Sequence, residues 1–321
     1  MIRLVVLGAI NWDINLFVQR FPEIGEEVPV ERITRVPGGK AANVAVASAR
    51  ILDPESVALI GCLGRDSVAE RQIEILKREG VVVSGIRFIE DMESGQAYIT
   101  IDKNGRNVIN TFFGANLRLS PEDLHRPEIA HLLKEAHIIT LIDPPLETIK
   151  EASSITSSYG KTIIWDAGVR SILGIEHLKT VLEKIKYIVI NEVEIKNLTG
   201  ESEPIVAWKT LSEVNGDIKL VAKLGGRGCL FIDPNQIIEV PAVDLNKLGM
   251  RVINTVGCGD AFLGVFAASK SMSLTDKEAL ERANLAGALK ATKPETRGSP
   301  SREELEKYLE FKREGRIIRR M

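Results

Sequence analysis

Short apolar runs rich in β-branched residues recur along the chain and alternate with segments of helical periodicity. Runs of this length and continuity are typical of strands buried on both faces of a sheet. The predicted strands cover residues 4–7, 57–60, 138–142, 162–165, 187–190 and 219–222. The predicted helices cover residues 40–52, 68–79, 146–159, 192–199, 260–270, 276–291 and 301–308. This alternation predicts an α/β protein with a mostly parallel central sheet covered by helices.

Two stretches, residues 11–36 and 94–113, instead alternate apolar and polar positions. With a turn at residues 102–105, the second stretch predicts a hairpin that has one exposed face. Such strands either form a small accessory sheet or extend the edge of the main sheet, and the pattern leaves both open. No repeat, low-complexity segment or linker divides the chain, so a single domain over residues 1–321 is expected.

Composition and charge exclude several classes of function. Hydrophobic residues make up 44% of the chain and charged residues 27%, which suffices for a sizeable core. The 42 basic residues nearly balance the 44 acidic ones, for a net charge of −2, so no basic field favours a nucleic-acid partner. The three cysteines are Cys62, Cys229 and Cys258. Their spacing fits neither a disulfide framework nor a zinc site.

The first residues and the length of the apolar runs argue against a membrane protein. Polar Asn11 and Asp13 come too early for the apolar core of a signal peptide. No apolar run approaches the roughly 18 residues that a spanning helix needs. We therefore expect a cytoplasmic protein without a membrane partner.

The segment with the strongest chemical pattern covers residues 252–262. A strand-like start leads into Gly257 and Gly259, and Asp260 follows at the start of a predicted helix. Glycines before a helix let backbone amides approach an anion closely, and a carboxylate beside them is placed to accept a proton. An alcohol that attacks a phosphoryl group needs both features. The alternative interpretation is that Asp260 is an ordinary acidic residue in the first turn of a helix.

A second glycine-rich segment covers residues 37–45. Gly38 and Gly39 precede a predicted helix in which Asn43 is polar among small apolar residues. The segment is not a Walker loop, because Lys40 is followed by alanine. A tight turn before a helix explains the same residues equally simply. The chain also lacks a GxGxxG pattern, which argues against a dinucleotide site.

These two segments, in this order, resemble the signatures of the ribokinase-like (PfkB) carbohydrate kinase family. The resemblance extends over nearly the whole chain. The matching segments are residues 8–13, 38–43, 61–66, 79–81, 114–116, 191–194, 224–228 and 254–260. The family resemblance implies a three-layer α/β fold with a small β-sheet lid formed by residues 11–36 and 94–113. It also implies phosphoryl transfer from ATP, with Mg²⁺, to a hydroxymethyl group.

The resemblance also implies roles for individual residues. Asp260 would be the general base, and the amides of Gly257, Cys258 and Gly259 would stabilise the transferred phosphoryl group. The residues implied to bind the acceptor are Asn11, Asp13, Gly38, Gly39, Lys40, Asn43 and Asp143. For Asp143, a helix N-cap before Pro144 is an equally good interpretation.

On the nucleotide side, the resemblance implies a second group of residues. Asn191 and Glu194 would hold Mg²⁺, largely through water, because Mg²⁺ dehydrates reluctantly. The residues implied to bind the nucleotide are Asn191, Lys223, Gly225, Gly228, Thr255, Gly257, Gly259 and Asn284. The turn at residues 293–298 falls where the family packs the adenine base.

Two departures from the family pattern matter. Asn254 stands where the second signature usually begins with aspartate, which puts strong K⁺ activation in doubt. Cys258 replaces a small alanine or serine, and only its amide is needed. Asparagine at position 254 also occurs in the branch that phosphorylates sugar phosphates, for which Lys40, Arg106 and Arg118 are available cations.

The acceptor is therefore expected to be a free ribose-like sugar or a nucleoside. The alternative is a ribose phosphate or fructose phosphate as acceptor, with ATP or ADP as the donor. A nucleotide-binding regulator on the same fold is the non-enzymatic alternative, and Asp260, Asn191 and Glu194 together argue against it. A homodimer through the lid is a further expectation, because exposed strand edges favour pairing.

Overall fold

The computed structural model describes the backbone of residues 1–314 and the side chains of residues 1–310. The strands are β1 Leu4–Gly8, β2 Asn11–Val18, β3 Val30–Gly38, β4 Val57–Gly64, β5 Val81–Ile89, β6 Gly95–Ile101, β7 Asn107–Phe112, β8 Ile138–Ile142, β9 Thr162–Asp166, β10 Tyr187–Asn191, β11 Lys219–Lys223, β12 Gly228–Ile232 and β13 Ile237–Pro241. The helices are α1 Lys40–Ala49, α2 Ser67–Arg78, α3 Pro127–Glu135, α4 Leu146–Ser158, α5 Gly174–Leu182, α6 Glu192–Thr199, α7 Pro204–Val214, α8 Cys258–Ser271, α9 Asp276–Ala291 and α10 Arg302–Glu314.

The large sheet has nine strands in the order β13-β12-β11-β10-β9-β8-β1-β4-β5. All neighbours from β11 to β5 are parallel, and β12 and β13 add an antiparallel edge. Every residue of β1, β4 and β8 is buried, because helices cover both faces of the sheet. The mostly parallel sheet predicted from the apolar runs is confirmed.

The helices form one layer on each face of this sheet. One hydrophobic cluster joins α1, α2, α8, α9 and α10 to the sheet. The other cluster joins α3, α4, α5, α6 and α7 to the opposite face. The architecture is therefore three-layered, and its core lies in two slabs on either side of the strands.

The two stretches of alternating polarity form a separate small sheet in the order β3-β2-β6-β7. β2 pairs antiparallel with β3 and parallel with β6, and β6 pairs antiparallel with β7 across a turn closed by Gly105 N–H donating to Asp102 O at 2.9 Å. The accessory sheet is confirmed, and extension of the main sheet edge is wrong. Within residues 1–314, no helix is both long and apolar enough to span a membrane.

Candidate active site

Polar residues lie at or shortly after the carboxyl ends of five neighbouring strands of the large sheet. β9, β10 and β11 end in Asp166, Asn191 and Lys223, Asp143 directly follows β8, and the chain after β1 leads to Asn11. The carboxyl ends of parallel strands share one edge, where such sheets bind ligands. This edge carries the two cavities described below.

The first of these, the lid-side cavity, has a volume of about 370 Å³ and lies between this edge and the small sheet. Its polar and charged lining consists of Asn11, Asp13, Lys40, Asn43, Asn107, Thr111, Asp143, Thr255, Asp260 and Thr296. Its apolar lining includes Ala97, Ile99, Ile109 and Phe113 from the segment around β6 and β7, and Val169 from the segment after β9. Most residues that sequence reasoning assigned to the acceptor therefore line one cavity.

Gly38 lies behind this cavity rather than in its lining. A Cβ atom at Gly38 would lie 2.0 Å from Oδ1 of Asp13, so the Asp13 carboxylate can take its position only against a glycine. Burial raises the pKa of Asp13 to about 7, with the charge of Arg297 opposing and that of Asp260 adding to this rise. Asp13 is thus a buried carboxylate that titrates near neutral pH.

Asp260 lies in the first turn of α8 and points into the lid-side cavity. Nδ2 of Asn43 on α1 donates a hydrogen bond to Oδ2 of Asp260 at 2.8 Å. Burial raises the pKa of Asp260, while this hydrogen bond and the charge of Lys40 oppose the rise. A carboxylate with a raised pKa, oriented by one amide, has the properties of a general base.

Asp143 and Lys40 form an ion pair across the cavity floor, with Lys40 Nζ 3.2 Å from Oδ2 of Asp143. Oδ1 of Asp143 accepts from the backbone N–H of Val169 at 3.0 Å. α4 begins only at Leu146, so the N-cap interpretation of Asp143 is wrong. Its φ of +54° is unusual for a residue other than glycine, and such strain clusters at functional sites.

The loop of residues 254–260, called here the anion loop, separates the two cavities. Gly257 has a φ of +86° and immediately precedes α8, and no side chain of the described residues caps this helix start. Thr255 lines both cavities, Gly257 and Asp260 line only the lid-side one, and Cys258 and Gly259 line the other. The N–H of Cys258 donates to Thr255 O at 3.2 Å, and burial raises the pKa of its thiol to about 11, so this sulfur is not a thiolate.

The second, the glycine-side cavity, has a volume of about 400 Å³. The sequence-predicted nucleotide residues that line it are Lys223, Gly225, Gly228, Thr255, Gly259 and Asn284. Two others do not, because Gly257 faces the lid-side cavity and Asn191 lies outside both lining sets. Residues 293–298 are likewise absent from its lining, and Thr296 lines the lid-side cavity instead.

Asn191 and Glu194 are engaged with each other at the start of α6. Oδ1 of Asn191 accepts from the Glu194 N–H at 3.0 Å, and Oε2 of Glu194 accepts from the Asn191 N–H at 2.8 Å. Within residues 1–310, no cluster of three or more acidic, histidine or cysteine side chains is arranged to hold a metal ion. Any metal here would therefore keep most of its water.

Asp166 was missed by sequence reasoning. Lys223 Nζ contacts its Oδ2 at 2.8 Å, and its Oδ1 is buried without a hydrogen-bond partner among the described side chains and backbone. Burial acts to raise the pKa of Asp166, but the charges of Lys223 and Lys40 bring it below the usual value. Burial and the charge of Asp166 raise the pKa of Glu194. An orphaned oxygen beside a second carboxylate fits a hydrated Mg²⁺.

Asn254 has all of its polar groups engaged. Its backbone oxygen accepts from Nζ of the fully buried Lys290 at 2.9 Å. Its side-chain Oδ1 accepts from the Val256 N–H at 3.0 Å, and its Nδ2 donates to Pro294 O at 2.8 Å. Asn254 therefore serves the internal structure of the anion loop.

Comparison with known proteins agrees with this geometry. The sequence model of the pfkB family carbohydrate kinases matches residues 1–303. A ribokinase of Staphylococcus aureus is 29% identical over 297 residues, which is 91% of this chain and 94% of that protein. The crystal structure of a ribokinase from Thermotoga maritima is 27% identical with a TM-score of 0.84, and covers 97% of this chain and 100% of its own.

A third relative has ligands in its structure. The ribokinase of Arabidopsis thaliana, solved in complex with ribose and ATP, is 25% identical with a TM-score of 0.85, and the match covers 97% of this chain and 100% of that one. Both structural matches thus extend over nearly the whole chain. By sequence and by structure, this chain belongs to the pfkB family of carbohydrate kinases.

Proposed function

We propose that this kinase transfers the γ-phosphoryl group of ATP to a hydroxymethyl group of a free pentose or a nucleoside. One observation carries the proposal. Consecutive residues of the anion loop face different cavities, so a nucleotide in the glycine-side cavity and an acceptor in the lid-side cavity would meet at Asp260. This is the arrangement that direct transfer between two bound substrates requires.

The chain's own residues would carry out the transfer as follows. Asp260 accepts the proton of the acceptor hydroxyl as its oxygen bonds to the γ-phosphorus, while the bond from that phosphorus to the β,γ-bridging oxygen breaks. The amides of the anion loop and the N-terminus of α8 stabilise the charge on the transferred oxygens. Asp13 and the Lys40–Asp143 pair orient the hydroxyl groups of the acceptor.

Mg²⁺, when bound with the nucleotide, would neutralise the charge on its phosphates. Asp166 and Glu194 would hold its water ligands, Asp166 by its orphaned Oδ1 and Glu194 by its charge. Asn191 has one lone pair of Oδ1 engaged in the cap of α6, so its part is to orient Glu194 as well as to bind water. Lys223 balances the charge of this pair and faces the glycine-side cavity.

The charges of the lid-side cavity favour an uncharged acceptor over a sugar phosphate. The carboxylates of Asp13, Asp143 and Asp260 face it, and the ammonium of Lys40 is already paired. The other cations considered lie elsewhere, because Arg106 pairs with Asp102 and Arg118 donates to the sulfur of Met92. A substrate phosphate would meet three carboxyl groups and no unpaired cation among the lining residues, whereas sugar hydroxyls would find hydrogen-bond acceptors.

The small sheet would act as a lid over the acceptor. Ala97, Ile99, Asn107, Ile109 and Thr111 of β6 and β7 form one wall of the lid-side cavity. A wall from a separate sheet can move without disturbing the main core, and closure would exclude water from the phosphoryl group. All six residues of β7 are exposed at the outer edge, which is also where a second copy of the chain would pair.

A phosphorylation screen tests the proposed function. Purified protein is incubated with Mg²⁺ and either ATP or ADP, and with free pentoses, nucleosides or their monophosphates as acceptors. We expect transfer from ATP to a pentose or nucleoside and none to the phosphorylated acceptors. Transfer only to a sugar phosphate would contradict the charge argument, and nucleotide binding without transfer to any acceptor would favour a regulator.

A further inference from the structure

Arg297 is a buried cation that has no assigned role. The side chain is buried, with only 7% of the residue exposed. Even so, its guanidinium forms no ion pair within 4.0 Å with a carboxylate of residues 1–310. All three hydrogen bonds of its guanidinium go to neutral carbonyl oxygens. They run from Nε to Oδ1 of Asn43 at 3.0 Å, from Nη1 to Oε1 of Gln72 at 3.3 Å and from Nη2 to Gly38 O at 2.8 Å. Burying a guanidinium in this way is costly, so the site must use its donors or its charge.

Each of the three partners leads on to an acceptor-site group. Asn43 donates to Asp260, as described above. Gln72 donates through Nε2 to the backbone oxygen of Asn11. Gly38 lies directly against the Asp13 carboxylate. One guanidinium thus contacts the immediate neighbours of the base and of two acceptor residues.

The chemistry of arginine fixes the direction of these contacts. A guanidinium only donates hydrogen bonds, so it must face the oxygen ends of the Asn43 and Gln72 amides. Their NH₂ groups then point away from it, toward Asp260 and toward Asn11. Without Arg297, only the hydrogen bond to Asp260 orients the Asn43 amide, and its oxygen loses its buried donor. Arg297 thereby keeps a hydrogen-bond donor on the general base.

The charge of Arg297 also bears on Asp13. The charged groups that face Asp13 are Arg297, Asp260 of α8 and Lys40 of α1, while β3 and β6 place Val36 and Ala97 opposite it. Arg297 lowers the pKa of Asp13, and Asp260 raises it. Loss of the guanidinium therefore leaves Asp13 protonated to higher pH.

We propose, building on the proposed function, that Arg297 is a positioning residue for phosphoryl transfer. It orients the Asn43 amide toward Asp260 and holds Gly38 and Gln72 against the acceptor residues. Because Thr296 lines the lid-side cavity beside it, Arg297 also ties the turn after α9 to the acceptor site. The rival explanation is that Arg297 only anchors this turn.

Arg50 provides a matched control for the explanation that Arg297 only anchors the turn after α9. Its Nη1 donates to the backbone oxygens of Arg297 and Ser299, and its other donors pair with Glu79. It anchors the same turn but contacts neither Asn43 nor Gln72. Loss of Arg50 should therefore reproduce any effect of a loosened turn and none of the effect on Asp260.

The first experiment compares the kinetics of Arg297→Met, Arg297→Lys and Arg50→Met, with nucleotide binding as a check of folding. We expect Arg297→Met to lose about 10- to 100-fold in kcat, the scale of one hydrogen bond to a charged group. Arg297→Lys should recover part of this, because it restores the charge but not the planar guanidinium fork that reaches all three oxygens. Adding Asn43→Ala to Arg297→Met should cost little more, since both act on Asp260. Equal losses in Arg50→Met and Arg297→Met would overturn the proposal.

The second experiment needs no acceptor and follows the Asp13 carboxyl carbon by NMR through a pH titration. We expect an apparent pKa near 7 in the wild type and a higher one in Arg297→Met, with no change in Arg50→Met. With a working acceptor, the acid limb of kcat/KM should move in the same direction. An unchanged Asp13 titration refutes the role of the charge, and normal kcat in Arg297→Met refutes positioning. If the wild type phosphorylates no acceptor, the proposed function fails, and the NMR result still decides where the guanidinium acts.

Discussion

The two cavities on either side of the anion loop are built in different ways. The lid-side cavity presents buried carboxylates and amides whose side chains come from α1, α8, β2 and the ends of strands. The glycine-side cavity is lined mostly by glycines and apolar side chains, and Lys223 is the charged residue in its lining. One cavity therefore recognises its ligand by directed polar side chains, and the other by backbone and shape.

This difference predicts that the two cavities respond to different kinds of substitution. Removing one polar group from the lid-side cavity leaves its buried partners unpaired, which is costly. The glycine-side cavity has few such groups and is more sensitive to added bulk. Substitutions chosen on this basis should separate effects on the acceptor from effects on the nucleotide.

The largest effect is expected for Asp260→Asn. The substitution removes the base but keeps a side chain of the same shape beside Asn43, so turnover should fall by about 10²–10⁴-fold. Nucleotide affinity, measured by calorimetry, should change little. The control is Cys258→Ala in the same loop, which should keep its turnover because its thiol is protonated. Near-normal turnover of Asp260→Asn would remove the basis of the proposed mechanism.

A smaller effect is expected for Gly38→Ala. The new methyl group would lie 2.0 Å from the present position of Oδ1 of Asp13 and would displace that carboxylate. Because a displacement of about 1 Å can cost up to about 100-fold, we expect kcat/KM for the acceptor to fall on the order of 10- to 100-fold, with the KM for ATP kept.

The matched substitution on the other side is Gly287→Ala. Its methyl group would meet Cys258 O at 3.3 Å in the glycine-side cavity, so it should raise the KM for ATP and spare the acceptor. Gly216→Ala, which has no neighbour within 4 Å, controls for the substitution itself. If both cavities respond alike, the contrast between them is wrong.

A still smaller effect is expected for Glu194→Gln. Glutamine can keep the capping box with Asn191, so the substitution removes charge and preserves the start of α6. With one carboxylate fewer beside Asp166, more Mg²⁺ should be needed for half-maximal rate. A titration of Mg²⁺ at saturating ATP measures this, and an unchanged requirement would make the pair structural only.

The smallest effect is expected on exchanging K⁺ for Na⁺ in the assay. The backbone oxygen of Asn254 already accepts a hydrogen bond from the Lys290 ammonium, and both ends of its side-chain amide are bonded. We therefore expect nearly the same kcat in either salt at equal ionic strength. A large activation by K⁺ would show that the anion loop binds a cation at other oxygens.

The sequence predicted an element most accurately where a single local pattern defines its bounds. The predicted bounds of β8, α6 and α9 match the structure, because continuous apolar runs or clear helix caps define them. β5, β12 and β13, and the helices α3, α5 and α7, were not predicted. β5 and β13 lie at the edges of the large sheet, where burial is partial. Length does not explain the missed helices, because α3, α5 and α7 are all longer than α6, which was predicted.

The residues of the site likewise fall into those that the sequence predicted and those that it missed. Acceptor residues in the two glycine segments were predicted, because glycine pairs before helices are visible in one dimension. Asp166 could have been found, since it directly follows the predicted strand 162–165, at the edge where Asp143 was considered. Arg297 could not, because its role depends on contacts with Gly38, Asn43 and Gln72, more than 200 residues away in sequence.

The alternation of the anion loop between two cavities has a stereochemical consequence. If each substrate enters from its own side, the acceptor oxygen attacks the phosphorus directly opposite the departing nucleotide. No histidine lines either cavity in the described chain, the Cys258 thiol is protonated, and in the proposed mechanism Asp260 takes the proton of the acceptor rather than the phosphoryl group. A single displacement inverts the configuration at phosphorus, and a chiral γ-phosphate would leave this enzyme with the opposite handedness.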